Sequence, residues 1–227
     1  MPFLLFRTQT KLSMREEDLL DSQAKVKQDF KEFDFPIDFR FKLGTISNDF
    51  VATDANGRTL AYVRQKMFKL KEAIMVYAED SKTNLLYKIS ADRIIDFNAS
   101  YEFTDANGFV LGSVGRKGMR SLWKAQYEIF DTEKKQEYTI REENPWAKVF
   151  DVLLSEVPLL GIFTGYLFNP KYGIVNQNGE TVARLSKEAS FFGRKFKLVK
   201  LGELKDGDSE RLLLALMMMM LLERRRG

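Results

Sequence analysis

The chain has 227 residues, with 36 Lys and Arg against 32 Asp and Glu, a formal net charge of +4, and 44% hydrophobic residues. That length and apolar content suffice for one large domain or two small ones with a substantial core. The small charge excess does not indicate a nucleic-acid-binding protein. Cysteine and histidine are both absent, which excludes disulfides, thiol nucleophiles, Ser-His-Asp and Cys-His catalysis, and zinc chemistry.

The first part of the chain reads as an extension of the main domain. Residues 13–33 form a polar pattern with a modest apolar stripe, and Ser13 followed by Glu16 matches a capping box at the start of a helix. Pro36 marks the boundary, so residues 1–35 are predicted to be an extension of strand and helix, and residues 36–227 the main domain. The initial apolar run is too short for a signal peptide, which together with the missing cysteines predicts a cytoplasmic protein.

From residue 37 onward the apolar period changes from 3.6 to 2. Residues 37–43 alternate as a half-buried strand does. Three similar segments follow at 50–63, 101–114 and 172–185, each with Asn-Gly between two short β-rich runs. Asn-Gly is the strongest local hairpin signal, because both residues tolerate the positive φ of a tight turn.

Two weaker hairpins are predicted at 74–89 and 127–140, and a closing strand at 195–201. Together with the other segments they give about twelve strands. Many short antiparallel strands in one chain indicate a sandwich or a closed barrel.

The end of the chain is predicted to be a buried helix over residues 208–225. Every residue from 212 to 222 is apolar, and a helix without a polar face must be surrounded by a core or by lipid. The run covers only about 16 Å, roughly half of a hydrocarbon core, which favours a helix inside a barrel. Acids before it and arginines after it complement the helix dipole, and Asp208 or Ser209 could cap the first turn. The same acids resemble a calcium loop but lack its glycine and closing glutamate, so no metal site is predicted.

Residues 145–168 interrupt the strand pattern. Pro145 suits the first turn of a helix over 146–156, and Pro158 ends that helix before a very apolar strand or loop. Charged residues within the stretch argue against a membrane-spanning helix. A helix over one barrel mouth followed by a core strand is the favoured interpretation, with peripheral membrane insertion as the alternative.

Three stretches that follow the Asn-Gly hairpins combine cations with Phe, Met or Trp. Such stretches could bind an anionic membrane, because the charges attract and the rings insert. The alternative is that the aromatic residues belong to the core and the cations are simply solvated. The candidate contacts for anionic lipid are Arg64, Lys66, Lys69, Lys71, Arg116, Lys117, Arg120, Lys124, Lys187, Arg194, Lys195 and Lys197.

Taken in order, these features resemble the tubby C-terminal-like superfamily, and within it the LURP-one-related and phospholipid-scramblase-related proteins. The resemblance is carried by the hairpins Asp54-Ala-Asn-Gly57 and Asp105-Ala-Asn-Gly108, by Gly165-Tyr-Leu-Phe-Asn-Pro-Lys-Tyr172, and by the closing Leu212-Leu-Leu-Ala-Leu-Met217. It covers about residue 35 to the end. It implies a twelve-stranded barrel closed around a central hydrophobic C-terminal helix. It also implies a relation to proteins that bind phosphoinositides or are linked to transbilayer lipid movement, although the cysteine-rich acylation segment of the scramblase branch is missing.

The sequence therefore predicts a mainly β, non-enzymatic binding module without a cofactor. Its predicted role is peripheral binding of anionic phospholipid or phosphoinositide headgroups. A protein-interaction scaffold and a scramblase-like activity are the alternatives. The protein is expected to be a monomer that binds no nucleic acid and stays in the cytoplasm, in part at a membrane surface.

Overall fold

The computed structural model describes residues 33–42, 49–64, 73–93, 100–116, 126–143, 170–188, 195–205 and 207–224. These residues form twelve β-strands followed by one α-helix. The strands are β1 (Ile37–Phe41), β2 (Phe50–Thr53), β3 (Thr59–Arg64), β4 (Ile74–Tyr77), β5 (Leu85–Arg93), β6 (Ser100–Asp105), β7 (Val110–Arg116), β8 (Gln126–Phe130), β9 (Gln136–Glu142), β10 (Lys171–Asn176), β11 (Thr181–Glu188) and β12 (Lys195–Lys200). The helix is α1 (Asp208–Arg224).

The strands form a closed antiparallel barrel in which each strand pairs with its neighbours in sequence. Strand β1 pairs with β2 on one side and with β12 on the other, and Phe39 lies opposite both Ala52 and Phe196. Aromatic rings pack where the sheet closes: Phe41 lies 4.9 Å from Phe50 and 6.2 Å from Phe196 between ring centroids. Closure leaves the twelve described strands without an unpaired sheet edge, which removes the hazard of edge-to-edge aggregation for them.

Alternation along the strands separates the core from the surface. On β8 and β9 the side chains of Tyr127, Ile129, Tyr138 and Ile140 are at most 4% exposed, and the residues next to Ile129 on its own strand are only partly buried. Side chains on a strand point to opposite faces in turn. The period-2 pattern of the sequence therefore reports directly which residues fill the barrel.

The predicted hairpins are present, but their turns use positive φ at one residue rather than two. In the β6–β7 turn only Gly108 has a positive φ, +88°, and its N–H donates to the Asp105 carbonyl at 3.0 Å. The Asp105 carboxylate accepts from the N–H groups of Asn107 and Phe109, at 2.9 Å each. Asn107 is thus held by hydrogen bonds and does not need the left-handed region that the Asn-Gly pattern had suggested.

In each of the two hairpins without Asn-Gly, a lysine has the positive φ that Gly108 has in the β6–β7 turn. Lys82 has φ +60° in the β4–β5 turn, and Lys134 has φ +66° in the β8–β9 turn. A non-glycine residue in this region is strained by roughly 1–2 kcal/mol. In the β8–β9 turn the Asp131 carboxylate offsets this cost, because it accepts from the N–H groups of Glu133 and Lys135 at 2.9 and 2.8 Å.

Helix α1 lies inside the barrel, nearest to β6, β7 and β8. Its residues from Leu212 to Leu221 are at most 1% exposed. Full burial of a large apolar side chain contributes roughly 1.5–3 kcal/mol, so these residues contribute on the order of 20 kcal/mol before the entropy of ordering is subtracted. The predicted barrel around a buried C-terminal helix is confirmed.

Small differences remain at element ends, and part of the prediction lies outside the described residues. Strand β12 ends at Lys200, and Leu201 is 49% exposed. The predicted helix over 13–33, apart from its last residue, and the predicted helix and strand within 145–168 fall on residues that the structure does not describe. That last residue, Phe33, is described and is not helical.

Candidate functional site

The barrel has two different ends. Five tight hairpins, between β2 and β3, β4 and β5, β6 and β7, β8 and β9, and β10 and β11, lie at one end, which we call the turn end. Strands β3, β7 and β11 finish at the opposite end, where β4, β8 and β12 begin, and we call this the open end. In an antiparallel barrel this division follows from the order of the strands alone.

The first turn of α1 is fixed at the turn end by a set of hydrogen bonds. The Tyr138 hydroxyl donates to Asp208 Oδ2 at 2.6 Å, and the Tyr87 hydroxyl donates to Glu210 Oε1. Asp208 and Glu210 are only 3% and 6% exposed. Burial raises the pKa of Tyr87, and the adjacent Glu210 carboxylate raises it further. Burial and the hydrogen bond to Asp208 also raise the pKa of Tyr138.

Arg211 completes this cluster. Its guanidinium donates to both oxygens of Glu137 at 2.8 Å and to Asp208 Oδ1 at 2.6 Å. Burial raises the pKa of Glu137, although the hydrogen bonds from Arg211 act in the opposite direction. Space for Arg211 depends on Gly112, because a Cβ there would overlap the Phe130 carbonyl oxygen and lie 2.7 Å from Arg211 Cδ. The cluster holds the helix in register.

The acids around α1 do not form a cation site in the part of the chain that the structure describes. Asp208 and Glu210 bind tyrosine and arginine groups of the barrel. No group of three Asp or Glu side chains within the described ranges could hold a metal ion. Asp206, which begins the calcium-like pattern, lies outside them.

Five of the predicted lipid contacts belong to the described residues, and all five lie toward the open end. Arg64 and Arg116 end β3 and β7, Lys187 lies one residue before the end of β11, and Lys195 and Lys197 lie in the first half of β12. The other seven predicted contacts lie outside the described residues: Lys66, Lys69, Lys71, Lys117, Arg120, Lys124 and Arg194.

These five cations differ in their surroundings. Arg64 is exposed and Lys195 is half-buried. Lys197 lies 3.2 Å from Glu188 and 3.8 Å from Asp38, and its hydrogen bond to Glu188 raises its pKa. Lys187 already interacts with another part of the chain. Arg64 and Lys195 are therefore better placed than Lys187 and Lys197 to meet an external anion.

Sequence reasoning missed several exposed cations at the same end. Arg40 and Arg141 lie next to the last residues of β1 and β9, and Lys171 is the first residue of β10. Lys171 precedes the third Asn-Gly hairpin, whereas only the cations that follow these hairpins had been considered. The strand order supplies the missing signal, because β10 starts at the open end of the barrel, where β3 finishes.

An open groove of about 470 Å³ runs along the outer face of β6, β7 and β8. Its floor is formed by small residues, Ser100, Ser113 and Gly115, and Phe130 forms a wall. The Phe130 ring lies 3.4 Å from where a Cβ on Gly115 would be. Arg116 borders the groove where β7 ends.

The turn end carries exposed charges of both signs and, within the described residues, three exposed large apolar residues. One of them, Leu201, follows the end of β12. Phe109 is 71% exposed and Val110 is 43% exposed, next to the Asn-Gly turn between β6 and β7. The corresponding residues after the other two Asn-Gly turns are Arg58 and Glu180. Within the described residues, no helix is both long and apolar enough to cross a bilayer.

A closed barrel of twelve antiparallel strands around a buried C-terminal helix is the fold of the tubby-like C-terminal superfamily. Within that superfamily the chain belongs to the LURP-one-related family, whose family model matches residues 59–220. The match begins at β3 and ends within α1, so β1 and β2, which close the barrel, lie before it. A search of curated proteins and a search of solved structures gave no match.

Proposed function

We propose that this protein is a non-catalytic module that binds anionic phospholipid headgroups at the open end of its barrel. The observation that carries the proposal is topological. The three basic-aromatic stretches connect β3 to β4, β7 to β8 and β11 to β12. Each pair of strands meets at the open end, so cations far apart in sequence are joined to one end of the molecule.

Electrostatic attraction is the expected source of affinity. A Lys or Arg near an anionic membrane surface contributes about 1 kcal/mol, and this contribution falls off within a Debye length. Several such charges at one end would orient the barrel with that end toward the bilayer. The hydrophobic helix takes no part, because its apolar residues are buried in the barrel.

Vesicle flotation of two triple variants tests the proposal. One variant lacks three cations of the open end, and the other lacks three cations of the turn end. One variant carries Arg64→Gln, Lys171→Gln and Lys195→Gln at the open end. Its matched control carries Lys135→Gln, Lys200→Gln and Lys205→Gln, which are exposed and lie at the turn end. At about 1 kcal/mol per charge, the open-end variant should bind vesicles containing phosphatidylserine roughly a hundredfold more weakly than the wild type.

The control variant should bind nearly as well as the wild type, and vesicles of phosphatidylcholine alone should bind neither. Equal losses for the two triple variants would point to non-specific attraction and contradict the proposal. A wild-type protein that ignores anionic vesicles at low salt would contradict it as well, and would favour a protein-interaction scaffold.

A further inference from the structure

Three cations surround a glycine on the outer face of β9, β10 and β11. The register pairs Gly173 of β10 with Arg141 of β9 on one side and with Arg184 of β11 on the other. The next residue of β10, Ile174, is 0% exposed and fills the barrel, so Gly173 and its two partners lie on the outer face. Lys171 precedes Gly173 by two residues and shares that face. We call Arg141, Lys171 and Arg184 the three-cation cluster.

A carboxylate of the chain itself already lies over Gly173. The Glu143 Oε1 atom accepts from Arg184 Nε at 2.8 Å. The same oxygen would lie only 3.0 Å from a Cβ at residue 173, so the missing side chain makes room for it. The floor of the three-cation cluster therefore accommodates a carboxylate beside an arginine.

The three-cation cluster carries more positive charge than Glu143 neutralises. Arg141 and Lys171 are exposed, and within the described part of the chain neither forms an ion pair or a side-chain hydrogen bond. Arg184 uses its Nε for Glu143, which leaves the two terminal nitrogens of the guanidinium for other acceptors. Three cations against one carboxylate leave a surplus of two positive charges.

The spacing of these cations indicates the shape of a matching anion. Neighbouring strands lie about 4.8 Å apart, so the backbones at Arg141 and Arg184 are about 10 Å apart, with Gly173 between them. Lys171 lies about 6.6 Å further along β10. In an extended peptide, alternate side chains share a face and repeat at this same distance. The outer face points away from the barrel axis, whereas a bilayer at the open end would lie across that axis.

We propose that the three-cation cluster docks an acidic, extended segment of a partner protein. One carboxylate of the segment binds between Arg141 and Arg184 over Gly173, where it competes with Glu143. A second carboxylate, two residues away in the segment, binds Lys171. Charge complementarity and the shared repeat carry the proposal, which does not rest on the proposed function.

An NMR titration tests the docking site by following the amide signal of Gly173. The probe is a peptide in which three glutamates alternate with serines. Arg141→Gln and Arg184→Gln should each bind it roughly threefold to fivefold more weakly than the wild type. The control Lys88→Gln removes the same charge from an exposed position on β5, five strands away around the barrel, and should bind the peptide as the wild type does.

Glu143→Gln should change the affinity in the opposite direction. It removes the carboxylate that competes for Arg184, so the peptide should bind roughly threefold to fivefold more tightly. Glu133→Gln, which removes an exposed acid at the turn end, should have no such effect. Equal weakening by Arg141→Gln and Lys88→Gln would reveal non-specific attraction and overturn the docking site.

Vesicle flotation of the same variants keeps the docking site apart from the proposed function. Peptide binding that depends on Arg184, in a protein that ignores phosphatidylserine vesicles, would support the docking site and remove the proposed function. Vesicle binding that Arg184→Gln weakens, with no response of the Gly173 amide to the peptide, would assign the three-cation cluster to the membrane surface. That result would overturn the docking site and leave the proposed function standing.

Discussion

Replacing Met217 by lysine places a charge in the middle of the barrel. Met217 is 0% exposed and lies about 14 Å along the helix from Asp208, too far to share the hydrogen bonds of the anchored turn. At pH 7, keeping the lysine neutral costs roughly 4–5 kcal/mol, because its ordinary pKa is about 10.4. Losing the buried methionine adds roughly 1.5–3 kcal/mol. The sum is comparable with a total stability of roughly 5–15 kcal/mol.

Urea unfolding measures the loss of stability in Met217→Lys. The pH dependence of that loss shows whether the cost of keeping the lysine neutral is its cause. The lysine would be neutral in the folded protein and charged in the unfolded chain, so the folded state binds fewer protons. The free energy of unfolding of Met217→Lys, relative to the wild type, should therefore rise by about 1.4 kcal/mol per pH unit between pH 7 and 9. Met217→Leu, which conserves volume, should cost less than about 1.5 kcal/mol at every pH. A lysine variant as stable as the leucine variant would refute a buried central helix.

Two further predictions concern the tyrosines. Tyr87→Phe should lower the free energy of unfolding by about 1–3 kcal/mol, since it leaves the buried Glu210 carboxylate without that donor; an unchanged urea midpoint would mean that this bond does not hold the helix. The free energy of unfolding should also fall above about pH 10. Burial is the main cause that raises the pKa values of Tyr62, Tyr87 and Tyr138 in the folded protein. Above about pH 10 the unfolded chain therefore loses protons that the folded protein keeps. Tyrosinate absorbance of the folded protein checks this, and titration of all eight tyrosines near pH 10 would contradict it.

Local patterns in the sequence were sufficient for the architecture. The five hairpins were predicted from period-2 alternation and turn residues, and α1 from an uninterrupted apolar run. Both signals come from neighbouring residues and report on which face is buried. The turns were predicted less well, because the position of Asp105 relative to Gly108, rather than Asn107 itself, decides their geometry.

Contacts between distant residues could not be predicted in this way. Tyr87 and Glu210 lie 123 residues apart, and Tyr138 and Asp208 lie 70 apart. Nothing in either local sequence indicates that the tyrosine hydroxyls of the barrel meet the first acids of the helix. The sequence predicted Asp208 or Ser209 as a local helix cap, whereas the structure gives Asp208 a partner from β9, the Tyr138 hydroxyl.

The same limit applies to the predicted lipid contacts. Sequence reasoning ranked all cations after the hairpins alike. The structure distinguishes Lys197, which faces two carboxylates from neighbouring strands, from Arg64, which is exposed. It also distinguishes Arg116, whose buried Nε has no partner. Asp38 becomes a neighbour of Lys197 only because β1 pairs with β12 where the barrel closes, and this pairing joins residues far apart in the sequence.

The orientation of the barrel at a membrane tests the account most directly. The chain has no cysteine, so a single introduced cysteine can carry an environment-sensitive fluorophore without background labelling. Gln126→Cys places the label at the start of β8, at the open end. Asn107→Cys places it on the turn beside the exposed Phe109, at the turn end.

With vesicles containing phosphatidylserine, the label at residue 126 should shift to shorter emission wavelengths and the label at residue 107 should not change. Added salt should reverse the shift, since the attraction is electrostatic. A shift at residue 107 with none at residue 126 would place the membrane contact at the exposed apolar hairpin of Phe109 and Val110. That result would contradict binding through the open end.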